Sequence, residues 1–205
     1  MNHFWTDTEP SKLFNRLKKY GFILVVGPQR SGTTIATAMI ANDLGYRYIE
    51  EGTIWGTLNW WPPEPPASRD FTAYFTPENA GCVIHCPEHT AYCHLYAGRE
   101  DTAIVMVRRK IDDIIASQKR VGWGFEWKEM LHYPGEERPI SKVKYKHWDN
   151  YQKKMLGKQG FEIKYNNLKT HPMWVNKEYR QDFAIAQIEV DKPRGERVQN
   201  PKLKK

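Results

Sequence analysis

Apolar residues along this chain gather in short runs separated by segments of mixed pattern. Phe22-Ile-Leu-Val-Val26 is unbroken, largely β-branched and stops at Gly27. A run without alternation predicts a strand covered on both faces, as in a parallel sheet. From Thr33 to Leu44, Ile35, Ala36, Ala38, Met39, Ile40 and Leu44 recur at helical spacing, and Gly45 stands where a helix would end. The same grammar repeats. Cys82 to Cys86 predicts a strand leading to a helix from near Pro87, and Ala103 to Val107 a strand leading to a helix from about Ile111 to Arg120. Residues 140 to 158 predict a further helix with Val143, His147, Trp148, Tyr151 and Met155 on related faces, followed by a strand from Phe161 to Tyr165. Strands alternating with helices predict an α/β fold of three layers, a central parallel sheet flanked by helices.

Two stretches break this rhythm, Glu51 to Pro77 and Gly122 to Pro139, both rich in aromatic residues and proline and both expected to be ordered loops. The charged tail from Asp191 to Lys205, with Pro193 and Pro201, is expected to be irregular. The length of 205 residues suits one domain, with its core from about residue 21 to 172. An apolar fraction of 40% with eight Trp, eleven Tyr and eight Phe excludes the composition of a disordered chain. Phe22 to Val26 is far shorter than the roughly 20 residues of a membrane span, and residues 1 to 20 lack the apolar stretch of a secretory signal. A cytoplasmic location is therefore expected. Cys82, Cys86 and Cys93, odd in number and clustered, read as reduced thiols. The net charge of +7 suits an anionic partner without choosing among nucleic acid, acidic membrane and polyphosphorylated ligand.

Gly27-Pro-Gln-Arg-Ser-Gly-Thr-Thr34 lies between the first predicted strand and its helix, the context in which a glycine-spaced loop binds phosphate. Glycines admit converging backbone N–H groups, and the unpaired N–H groups at the helix start add a favourable dipole. Thr33 stands where the phosphate loop of an ATPase carries lysine, so the usual clamp on the β- and γ-phosphates is missing. Arg30 instead places a permanent, forked charge within the loop. Further along, Val105-Met-Val-Arg-Arg109 ends a strand in arginine, and Ser117 follows Arg109 by eight positions in the next helix. A turn between them can bring both to one phosphate; Arg108 could share the role, though the spacing favours Arg109.

The segment Val25 to Thr34 resembles the 5′-phosphosulfate-binding loop of sulfotransferases, in the Arg-Ser-Gly-Thr-Thr version of tyrosylprotein sulfotransferases and related bacterial enzymes. Arg109 with Ser117 resembles that family's 3′-phosphate motif. The resemblance runs from about Gly21 to Pro172. It implies a P-loop-type fold and a PAPS cofactor leaving as PAP, with no metal. It also implies cofactor contacts from Arg30, Ser31, Gly32, Thr33, Thr34, Arg109 and Ser117. Glu51, 21 residues after Arg30, matches the place of the family's catalytic glutamate. A carboxylate there could take the proton of an attacking hydroxyl, while the neighbouring Glu50 would point the other way in an extended chain. Val83-Ile-His-Cys-Pro87 resembles a strand end that carries Lys-x-Pro in the family, His85 replacing the lysine. A buried or capping role for His85 is the alternative. Ile163 to Leu168 resembles a late Tyr-Glu-Asp-Leu strand end, with Asn166-Asn167 in place of the acidic pair.

The implied activity is transfer of a sulfuryl group from PAPS to a hydroxyl or amine, with Glu51, Arg30 and His85 as the catalytic set. Trp55, Trp60 and Trp61 would suit a flat apolar or sugar acceptor, or would simply pack their loop. The acceptor class stays open among small molecules, carbohydrates and peptides. Alternatives are a P-loop kinase, disfavoured by the absent lysine, and a basic nucleic-acid-binding module, for which no motif is present; no nucleic-acid partner is expected. Cys82, His85, Cys86, His89, Cys93 and His94 are all metal-ligand types, but without a Cys-x-x-Cys pair and scattered across a strand-to-helix passage they do not predict a zinc site.

Overall fold

The fold was derived from a computed structural model of the full chain, which describes residues 5–6, 10–50, 72–120 and 140–175. The strands are β1 (Trp5–Thr6), β2 (Phe22–Val26), β3 (Arg47–Glu50), β4 (Cys82–His85), β5 (Thr102–Arg108) and β6 (Gly160–Lys164). They form one sheet in the order β1-β6-β5-β2-β4-β3, with every pair parallel. The helices are α1 (Pro10–Leu17), α2 (Thr33–Leu44), α3 (Ile111–Arg120), α4 (Ile140–His147), α5 (Lys153–Leu156), α6 (Tyr165–Leu168) and α7 (Pro172–Val175).

Successive strand residues point to opposite faces, and this period of two divides the core. Ile23, Val25, Val83, Val105, Val107, Phe161 and Ile163 face a layer built on α1 and α2. Phe22, Leu24, Ile84, Ile104 and Met106 face Cys93, Tyr96, Ile114, Tyr145, Trp148 and Leu156 on the other side. Residues on both β2 faces are buried, as its continuous apolar run requires. The three-layer α/β architecture with a parallel sheet is therefore as expected from the alternation.

α2 spans the anticipated residues, and Gly45, at φ 68°, closes it in the left-handed region. The helix expected from near Pro87 is instead two 3₁₀ turns, Pro87–Ala91 and Cys93–Tyr96. Local bonds compete with a longer helix there: Thr90 Oγ1 donates to the Pro87 carbonyl at 2.7 Å and Cys93 Sγ to the His89 carbonyl at 3.3 Å. The helix expected over 140–158 runs through a π turn at Trp148–Gln152 and gives way to a 3₁₀ turn from Gly157. β6 begins and ends one residue earlier than expected, so Tyr165 opens α6 rather than closing the strand. α1 was not anticipated; Leu13, Phe14 and Leu17 bury one face of it against the sheet.

The chain begins at one edge of the sheet with β1 and then crosses to the interior at β2. β2 passes through α2, on one face, to the distal β3; β4 and β5 are followed by elements on the other face. The connections thus leave neighbouring strands in opposite directions, and the carboxyl ends of β2 and β4 are the position at which open α/β sheets bind ligands.

Candidate functional site

Five strands deliver polar groups to this one rim: the loop after β2, Glu50 at the end of β3, His85 at the end of β4, Arg109 after β5 and Tyr165 after β6. The loop makes a tight path. Gly27 and Gly32 take φ 144° and φ 104°, and Arg30, alone among the described non-glycine residues, sits in the left-handed region at φ 73°. An unbranched long residue tolerates that region only with compensation from its surroundings. Two contacts supply it here: Arg109 Nη1 donates to the Arg30 carbonyl at 2.9 Å, and Arg30 Nε donates to Ser117 Oγ at 3.2 Å.

Further bonds fix the loop from behind. Its Gly27 N–H donates to Thr90 Oγ1 at 2.9 Å, Gln118 Nε2 donates to the Gln29 carbonyl at 3.2 Å, and the Ser31 N–H closes a turn onto the Pro28 carbonyl. Lys144, fully buried on α4, donates to Gln29 Oε1 at 3.0 Å and the Pro87 carbonyl at 2.9 Å, with Glu88 at 3.7 Å balancing its charge. These partners fix the loop against α3, α4 and the turn after β4.

The glycines are needed for space as well as for φ. A Cβ at Gly27 would come within 2.9 Å of Ser31 Oγ and of the Val107 carbonyl, and one at Gly32 would run into the Tyr165 ring. α2 begins at Gly32 with no side-chain cap, and the N–H groups of a first helical turn have no partner within the helix. Ser31 Oγ and Arg109 Nε are buried without a hydrogen-bond partner. Converging N–H groups, orphaned donors and two arginines on a helix start form a concavity complementary to an oxyanion. The residues present fit a phosphorylated ligand.

Arg109 is placed by its backbone and by stacking. Its N–H donates to the Tyr145 hydroxyl at 2.8 Å, and its guanidinium lies 4.2 Å from the Tyr165 ring centroid. Tyr145 OH in turn donates to the carbonyls of Arg109 or Val107, at 3.2 and 3.4 Å. Burial pushes the Tyr145 phenol up to about 12, so the hydroxyl stays protonated. Arg108 is spent elsewhere: it pairs with Asp149 at 2.6 Å and Glu162 at 2.8 Å, which Lys153 also joins. Of the two arginines, Arg109 is the one that contacts the loop, through the Arg30 carbonyl.

On the opposite side of the loop, His85 Nδ1 lies 2.7 Å from Glu50 Oε2, and His85 Nε2 faces Thr33 Oγ1 at 2.9 Å and Thr34 Oγ1 at 3.3 Å. Tyr48 OH donates to the other Glu50 oxygen at 2.5 Å. Burial works against the Glu50 carboxylate, but His85 and then the Tyr48 hydroxyl hold its pKa below the ordinary glutamate value. The Tyr48 phenol is raised by burial and by the nearby carboxylate.

The structure therefore brings Arg30, Ser31, Gly32, Thr33, Thr34, His85, Arg109 and Ser117 to one rim. Glu51, Trp55, Trp60, Trp61 and the tail from Asp191 lie outside the described residues. Sequence reasoning missed Tyr145, Tyr165, Lys144 and Thr90, which support the loop from distant segments; only Tyr165, at a strand's carboxyl end, had a signal in the alternation. Among the described residues no group of three His, Cys, Asp or Glu side chains is arranged to hold a metal ion, and no helix is long and apolar enough to cross a membrane. Comparison with protein-family models, curated proteins and solved structures returns no match.

Proposed function

We propose that this chain is a P-loop-type sulfotransferase that takes a sulfuryl group from PAPS and passes it to a hydroxyl or amine acceptor. The observation that carries the reading is the convergence of the two sequence motifs: Arg30 of the loop bonds Ser117, and Arg109 bonds the Arg30 carbonyl. Residues 79 and 87 positions apart thus form one cationic rim, which offers an anionic ligand donors from both motifs at once.

PAPS, when bound, supplies the activated sulfuryl group. The loop N–H groups, Ser31 and Arg30 are the donors proposed for its 5′ end, and Arg109 with Ser117 for its 3′-phosphate. Arg30 and His85 would stabilise charge that develops on the leaving oxygen, since fixed donors need little reorganisation at the moment of reaction. With Glu50 already engaged by His85 and Tyr48, Glu51 is the carboxylate proposed to accept the acceptor's proton. Thr33 in place of the kinase lysine argues against the P-loop kinase alternative.

The test is Arg109→Ala and Ser117→Ala, with PAP affinity measured by calorimetry. Losing the charge-assisted contact of Arg109 should weaken PAP by about 1.5–3 kcal/mol, and losing Ser117 by less. Unchanged affinity in both variants, with unaltered melting, would remove the proposed 3′-phosphate site.

A further inference from the structure

The hydrogen bonds around His85 form a chain whose polarity depends on a single proton. The Glu50 carboxylate can only accept, so the Nδ1 atom 2.7 Å away carries the hydrogen in either charge state of the ring. Everything then turns on Nε2. In the neutral ring Nε2 is a lone-pair acceptor, which the Thr33 hydroxyl at 2.9 Å, nearer than Thr34 at 3.3 Å, can satisfy with its one hydrogen. In the imidazolium Nε2 becomes a donor, the Thr33 oxygen accepts, and the Thr33 hydrogen is released to point elsewhere.

Thr33 is the first residue of α2, beside the loop N–H groups that face the proposed anion. A freed hydroxyl hydrogen there adds a donor to the same concavity, and the ring brings a positive charge next to it. We propose that anion binding at the loop is coupled to protonation of His85, with Glu50 as the positioning residue that fixes the ring and balances its charge. This rests on the reading of the loop as an anion site, though not on the sulfuryl chemistry.

The surrounding groups favour the coupling. From β3 the ring faces Glu50 and Tyr48, whose ring stacks on it with centroids 6.4 Å apart; from α2 it faces only the Thr33 and Thr34 hydroxyls. β2 presents Val25 at the paired position. Behind the turn after β4, Lys144 and Glu88 offset one another, and among the described residues Arg30 and Arg109 are further charges of the rim. Glu50 is thus the carboxylate in hydrogen-bonded contact with the ring. The side chain of His85 is only 14% exposed, so Glu50, Tyr48, Thr33 and Thr34 supply most of its surroundings. The sign follows directly. An anion that prefers the imidazolium state binds more tightly as pH falls through the range where histidine titrates, and it takes up protons when it binds within that range.

The experiment is PAP affinity from pH 8 to pH 6 for the wild type, His85→Gln and Glu50→Gln, with inorganic sulfate as a second probe that does not titrate in this range. PAP phosphates titrate identically in all three proteins, so the difference between profiles isolates the protein. The wild type should gain roughly three- to tenfold more affinity across the interval than His85→Gln, with Glu50→Gln between them. Sulfate should show the same excess. Parallel PAP profiles for the wild type and His85→Gln would overturn the coupling while leaving a tight PAP site intact. If His85→Gln melts too low to assay, Glu50→Gln decides, and a wild-type profile in that variant overturns the proposal. Failure of both PAP and sulfate to bind the wild type would overturn the anion-site reading and this inference with it.

Discussion

Gly32 concentrates three requirements in one residue. It takes a left-handed φ of 104°, it precedes an uncapped helix start, and its missing Cβ leaves room for the Tyr165 ring. Gly32→Ala should therefore destabilise the fold by about 1–3 kcal/mol, from backbone strain and displacement of Tyr165, and abolish detectable PAP binding. Denaturant titration alongside calorimetry checks both; a variant of normal stability and normal affinity would show that the loop tolerates a side chain there. Tyr145 acts at a distance from the loop through the Arg109 backbone. Tyr145→Phe removes the acceptor for the Arg109 N–H and should lower stability by about 1–3 kcal/mol and weaken PAP severalfold, whereas a purely packing role would leave affinity unchanged. Glu51→Gln should lower kcat by roughly 10²–10⁴-fold on a genuine acceptor with PAP affinity nearly constant. Normal turnover in Glu51→Gln, with turnover lost in Glu50→Gln, would move the base to Glu50.

Among the elements, the helical passage from Ile140 to Leu156 shows where a residue pattern stops being sufficient. A regular α-helix would keep Tyr151 and Met155 on the face of Trp148. The π turn at Trp148–Gln152 inserts a residue and rotates the next helical turn, so Gln152 and Leu156 are buried while Tyr151 and Met155 are exposed. Nothing in the apolar spacing marks that insertion, because its partners are remote: Gln152 donates to the Ala91 carbonyl and Trp148 Nε1 to Glu162. α2 was legible for the opposite reason, its small apolar residues and closing glycine being local instructions. α1 carried a local signal too, in Leu13, Phe14 and Leu17, but charge in that segment obscured the face. Glu162, which accepts from Trp148 and Arg108 and pairs with Lys153, also ties α5 to β5 and β6. Burial opposes the charged forms of Glu162 and Asp149, yet Arg108 and Lys153 hold both pKa values below their ordinary ones. A depressed folded-state pKa contributes stability above the unfolded value and loses it as pH falls through the folded one. Thermal melts should thus hold steady above about pH 5 and drop below about pH 4, more shallowly in Glu162→Gln than in the wild type. Equal slopes would show that the network does not couple to folding.

For the molecule as a whole, the parallel sheet turns separate stretches of sequence into one surface. Parallel strands place all their carboxyl ends at the same rim, so Arg30, His85, Arg109 and Ser117 become neighbours although the chain between them spans most of the core. Alternation made that rim foreseeable, and the glycine loop identified its centre. The Glu50–His85–Thr33 chain was not foreseeable, since a glutamate at the end of one strand and a histidine at the end of its neighbour meet only once their register is known. The expectation that Glu50 and Glu51 point opposite ways in an extended chain involves Glu51, which lies outside the described residues; pairing with β4 sets Glu50 directly opposite His85. The net charge of +7 acts on the same scale, and PAP affinity should fall as salt rises through a Debye length of about 10 Å at 0.1 M. The most direct test of the central claim is a calorimetric comparison of PAP, PAPS, AMP and ATP with the wild-type protein, with and without magnesium. The proposed contacts to two phosphate groups along that one rim predict that PAP and PAPS bind at least tenfold more tightly than AMP or ATP, and that ATP is not hydrolysed. Equal affinity for ATP and PAP, or magnesium-dependent ATP hydrolysis, would contradict the sulfotransferase reading and favour a kinase.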